Sequence, residues 1–105
     1  MDNVLALDAK FIELATPVLS EFGFSGIKEL VKEQLSMMLL SKIDHYEAES
    51  RQYESRYEKP FEDVSGQRKV AGAENFDLDD DLNDWRFARE ATTLYRTKLQ
   101  ELQNA

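Results

Sequence analysis

Apolar side chains recur at helical spacing from Ile27 through Leu30, Val31, Leu35, Met38, Leu39, Ile43, Tyr46, Tyr53 and Tyr57, and no breaker appears until Pro60. That spacing predicts one helix of about thirty residues, roughly 45 Å long at 1.5 Å per residue. Its later part, residues 44–59, is mostly charged and polar, so the tyrosine stripe there is worth ordering only against another helix. A second stripe supplies one: Leu82, Trp85, Ala88, Thr92, Tyr95, Leu99 and Leu102 alternate by three and four residues, a heptad pattern. Residues 27–59 and 79–103 are therefore expected to form an antiparallel helical hairpin, with Trp85 near Tyr53 and Tyr57. Between them, residues 61–78 lose periodicity around Gly66 and Gly72 and read as a loop.

The N-terminal third is punctuated differently. Residues 3–7 alternate loosely and predict a short strand that must pair with something. Asp8 can cap a helix carrying Phe11, Leu14, Ala15, Val18, Leu19 and Phe22. Pro17 either kinks that helix or, with Thr16 as cap, opens a new one. Gly23 suits a left-handed position after the helix, and Ser25 can cap the next.

Composition narrows the function classes. The chain has 105 residues and no cysteine, which excludes disulfides, thiolate metal sites and a thiol nucleophile and suits a reducing cytoplasm. Its apolar runs, none longer than Met37–Leu40, fall far short of the roughly 20 residues a membrane span needs. Thirteen basic against twenty-one acidic side chains give a net charge of −8, which opposes non-specific nucleic-acid binding. Glu74, Asp77, Asp79, Asp80, Asp81 and Asp84 fall in a stretch without a base, favourable to a basic protein partner or to the positive end of the last helix. Asp77, Asp79 and Asp81 match the start of a calcium loop, but Leu82 stands where glycine is needed and Ala88 where glutamate is, so no metal is expected. His45 lacks convergent partners, and no phosphate loop or nucleophile motif occurs, so no cofactor and no enzymatic activity are expected. Met37, Met38, Leu39 and Leu40 cover more than one helix face, which argues for burial on several sides and hence for a dimer.

The order of short strand, helix ending in "EFGF", and restart "SGIKELVKEQL" with Ile27, Leu30, Val31 and Leu35 resembles the ribbon-helix-helix fold over about residues 3–37. With the acidic extension, the whole resembles the antitoxins of prokaryotic toxin–antitoxin pairs. That resemblance implies a mainly α chain with residues 1–45 as dimerisation segment and 46–105 as helical extension. It also implies a homodimer that binds and inhibits a basic protein partner, with weak autoregulatory DNA binding. Dimerisation would fall to Leu5, Leu7, Leu35 and Met38, and partner binding to Asp79, Asp80, Asp81, Asp84 and Trp85. The alternative is a structural helical-hairpin adaptor with neither toxin partner nor DNA binding, its acidic stretch serving only as a helix cap.

Overall fold

The computed structural model describes residues 8–105. Four helices carry nearly all of them: α1 (Ala9–Glu21), α2 (Ile27–Tyr57), α3 (Phe61–Ala71) and α4 (Phe76–Gln103). The described residues contain no strand and are all-α, which corrects the expected ribbon-helix-helix class. Their backbone groups are satisfied within helices and caps, so no ladder is left to pair. The expected strand, with Leu5 and Leu7 as dimer contacts, lies outside the described residues. The chain divides into two compact units, Met1–Ser36 and Met37–Ala105, and the division falls inside α2.

In the N-terminal unit, the Asp8 carboxylate accepts from the Lys10 N–H at 2.8 Å and starts α1. The helix runs through Pro17, and the Thr16 hydroxyl donates to the Ile12 carbonyl at 2.7 Å instead of capping a new helix. Gly23 takes φ +88°, where a Cβ would be strained, and the Phe24 N–H reaches back to the Leu19 carbonyl at 2.8 Å. Ser25 works two residues ahead of α2: both its hydroxyl and its N–H donate to the Glu29 carboxylate, and these two bonds hold that carboxyl below its ordinary range. Leu19 is the one buried side chain among the described residues of this unit.

The C-terminal unit has a true interior. As α2 descends from Tyr57 to Tyr46, its partners on α4 ascend from Asp81 through Trp85 to Tyr95, so the two helices run antiparallel. Trp85 is 1% exposed. Tyr53 and Tyr57 stack beside it at 5.9 and 6.0 Å, Phe61 meets it edge-on at 5.3 Å, and its indole N–H donates to Ser50 Oγ at 3.1 Å. Val64 and Leu82 complete this cluster.

Residues 61–71 are helix, not the expected loop, and α4 begins at Phe76, before the expected Asp79. Pro60 occupies the N-cap of α3, where its missing N–H costs nothing, and Gly72 closes the helix at φ +71°. Glu62 and Asp63 in the first turn and Arg68 and Lys69 in the last complement the helix dipole. Phe61, Val64 and Arg68, at positions i, i+3 and i+7, form its inward face. Gly66 points outward, and a Cβ added there meets nothing within 4 Å. Gly66→Ala should therefore raise the unfolding free energy by about 0.5–1 kcal/mol, the helix-interior cost of glycine. A urea titration followed by circular dichroism checks this, and an unchanged midpoint would mean that α3 is not formed.

Candidate functional site

The acidic end of α4 is built into the fold more than its sequence suggests. Asn75 caps the helix by accepting from the Leu78 N–H at 3.1 Å. Asp79 receives two bonds from the Arg68 guanidinium, at 2.7 and 3.0 Å, a bidentate pair that fixes α3 to α4. Asp81 accepts from the Tyr57 hydroxyl and from Arg56 Nη1 at 2.8 Å. The base-free stretch thus obtains its cations in space, from α2 and α3. Trp85 is interior and offers no surface. Of the five expected partner-binding residues, Asp80 and Asp84 are the ones left exposed, and with Asp77 they form a stripe at i, i+3 and i+7.

The hydrogen bond from Tyr57, and then Arg56, hold the Asp81 carboxyl below its ordinary range. Burial, followed by the bond to Asp81, pushes the Tyr57 phenol up. A depressed carboxyl stabilises the fold above its unfolded pKa, and that contribution is lost as pH falls through the folded value. A raised phenol acts in the opposite sense: its contribution is present below about pH 10 and lost as pH rises through the folded value. Asp81→Asn should therefore lower the urea midpoint at about pH 7, and the difference from the parent chain should shrink only as pH falls below about 4 and through the folded value. Equal midpoints at neutral pH would show that the Tyr57–Asp81–Arg56 contact holds nothing. Asp80→Lys, by contrast, should leave the neutral midpoint within about 0.5 kcal/mol of the parent.

The expected dimerisation residues Leu35 and Met38 are 41% and 65% exposed in the single chain. Other exposed apolar side chains accompany Leu35 in the N-terminal unit. Phe11, Leu14, Val18 and Phe22 fall on one narrow face of α1 and are 55%, 61%, 51% and 72% exposed, with Val31 exposed beside Leu35 on α2. In the C-terminal unit, Met37, Met38 and Leu40, expected to be covered in a dimer, also face solvent in the single chain.

A third feature was not anticipated. A groove of about 780 Å³ in the C-terminal unit is lined by Arg51 from α2, Phe61 from α3, and Arg86, Arg89 and Arg96 from α4. Arg89 lies 4.7 Å over the Phe61 ring and donates to Glu62 at 2.6 Å, while Arg96 donates to Glu47 at 2.7 Å. Arg86 sits 5.7 Å over the same ring and bonds Asn83 at 3.2 Å. The signal was present in "RFAREATTLYR", where Arg86, Arg89, Thr93 and Arg96 follow heptad spacing, but the overall charge of −8 masked it.

Among the described residues, no three or more His, Cys, Asp or Glu side chains are grouped as a metal ion would require, and no helix is long and apolar enough to cross a membrane. The sequence matches no family model, and neither the curated proteins nor the solved structures give a significant match.

Proposed function

We propose that this chain is a non-enzymatic helical adaptor that joins a second copy of itself through the apolar face of its N-terminal unit and holds its C-terminal unit ready for protein partners. The observation that carries this reading is the exposed stripe Phe11, Leu14, Val18 and Phe22 in a unit whose described residues bury only Leu19. A helix of thirteen residues is marginal alone and takes its stability from packing of an amphipathic face. Here most of that face meets water.

A second copy fits this face by area and by charge. The four α1 side chains expose roughly 100 Å² each, and Val31 and Leu35, drawn into the same interface, bring the total to about 600 Å² per copy. That reaches the upper end of the apolar patches tolerated on a monomer. Paired across a two-fold axis, two such faces bury about 1,200 Å², where specific stable interfaces begin. The charges beside the stripe have both signs, Lys10 with Glu13 in one i, i+3 pair and Glu21 further on, so the face has no bias towards a strongly charged partner and can be complementary to itself. The absence of cysteine supports a reducing cytoplasm as the place of work.

Hydrogen exchange at α1 amides tests the proposal without any substitution. If the face is covered by a second copy, exchange slows as protein concentration rises from about 1 to 100 μM. Rates independent of concentration would contradict it.

A further inference from the structure

We propose that the arginine-lined groove of the C-terminal unit receives an acidic amphipathic helix from a partner protein, seated along the Arg86–Arg89–Arg96 stripe of α4 with Arg51 on the opposite wall. Four guanidinium groups line this groove against three carboxylates, Glu47 between Arg51 and Arg96, Glu62 on Arg89, and Glu90, in a chain whose net charge is −8. The local sign is therefore opposite to that of the whole protein, and an acidic ligand is steered to this face and repelled elsewhere.

The occupant is a helix because the groove is long, open to solvent on one side and read along one helix face. Arg86, Arg89 and Arg96 stand at i, i+3 and i+10, spanning about 15 Å at 1.5 Å per residue. Carboxylates at i, i+3, i+7 and i+10 of an opposing helix repeat at the same interval. Arg86 meets no carboxylate among the described residues and is held ready by Phe61 and Asn83. Glu62 is 67% exposed and bonds Arg89, so an incoming carboxylate can take its place with the displaced glutamate returning to water. The floor between the arginines carries Phe61 and Thr93, which give the apolar side of an amphipathic helix something to cover. A nucleic acid fits less well: Glu47, Glu62 and Glu90 interrupt the positive surface, whereas phosphate backbones need continuous neutralisation.

The test uses the full chain and a fluorescein-labelled helical peptide with Glu at i, i+3, i+7 and i+10 and Leu at the positions flanking that stripe. Controls are the same peptide with Lys for Glu and a labelled single-stranded RNA of about 20 nucleotides. Fluorescence anisotropy should show saturable binding of the acidic peptide, weaker in about 0.15 M salt than in about 0.02 M. The lysine peptide and the RNA should bind at least about ten-fold more weakly. R86E/R96E, at two exposed positions, should keep its circular dichroism spectrum and its oligomeric mass while losing at least about ten-fold in affinity for the acidic peptide. Equal binding of both peptides, preference for RNA, absence of binding, or an unaffected double variant would each overturn the proposal. The groove lies wholly within residues 47–96, so its failure leaves the dimer face of α1 untouched, and loss of the dimer leaves the groove.

Discussion

Replacing Trp85 with alanine is expected to lower the unfolding free energy by about 3–5 kcal/mol, the range for deleting a fully buried aromatic side chain. Several losses combine. The indole is 1% exposed, so its whole surface leaves a cavity. Three ring contacts disappear, with Tyr53, Tyr57 and Phe61, each worth about 0.5–1.5 kcal/mol beyond area. Ser50 Oγ also loses its donor. Small domains hold only about 5–15 kcal/mol in total, so the C-terminal unit should be near the edge of unfolding. Trp85→Phe fills most of the space and should recover more than half of the loss. Urea unfolding followed by circular dichroism measures both. A drop below about 1 kcal/mol for alanine would show that the cluster of Val64, Leu82 and Trp85 is not the organising core.

The second large effect concerns association. Leu14→Asp with Val18→Asp puts two carboxylates at the middle of the exposed α1 stripe. Both side chains are more than half exposed in the single chain, so the substitutions cost little folding energy within one copy. In a dimer they would be desolvated near their symmetry mates. Like charges brought together at an interface cost several kcal/mol, so the dissociation constant should rise at least about 100-fold, since each 1.4 kcal/mol is tenfold. The C-terminal unit reports separately: its urea midpoint, read from Trp85 fluorescence, should stay where it was. Undiminished association would remove the α1 face from the interface, and a shifted Trp85 transition would mean that the substitutions act on folding instead.

What the sequence reveals about this fold depends on whether a residue's partner is near in pattern or only in space. The stripe through Leu82, Trp85, Ala88 and Thr92 is visible at heptad spacing, and these four side chains are the buried ones it implies. Tyr53 and Tyr57 lie on the facing stripe and stack on Trp85 as their register suggests. Helix α3 is hidden because Gly66, read as a breaker, sits on the solvent side of a helix whose inward face needs only Phe61, Val64 and Arg68. The strand at residues 3–7 followed from alternation alone, a weak signal in so short a run, and nothing among the described residues continues it. For the acidic stretch, the sequence shows carboxylates without neighbouring bases, but it cannot show that Arg68 reaches Asp79 from eleven residues away or that Arg56 reaches Asp81 from twenty-five. Those pairings turn two expected partner contacts into internal struts and leave Asp80 and Asp84 at the surface. The α1 stripe misleads in the other direction: its apolar spacing reads as core, yet Phe11, Leu14, Val18 and Phe22 face water in the single chain.

Sedimentation equilibrium of the full chain at several concentrations up to about 100 μM decides whether the α1 face joins two copies. A self-pairing α1 face gives a mass of twice the 12.2 kDa chain, with dissociation on dilution and a return to the single-chain mass in the Leu14→Asp, Val18→Asp variant. A mass of 12.2 kDa throughout would contradict it.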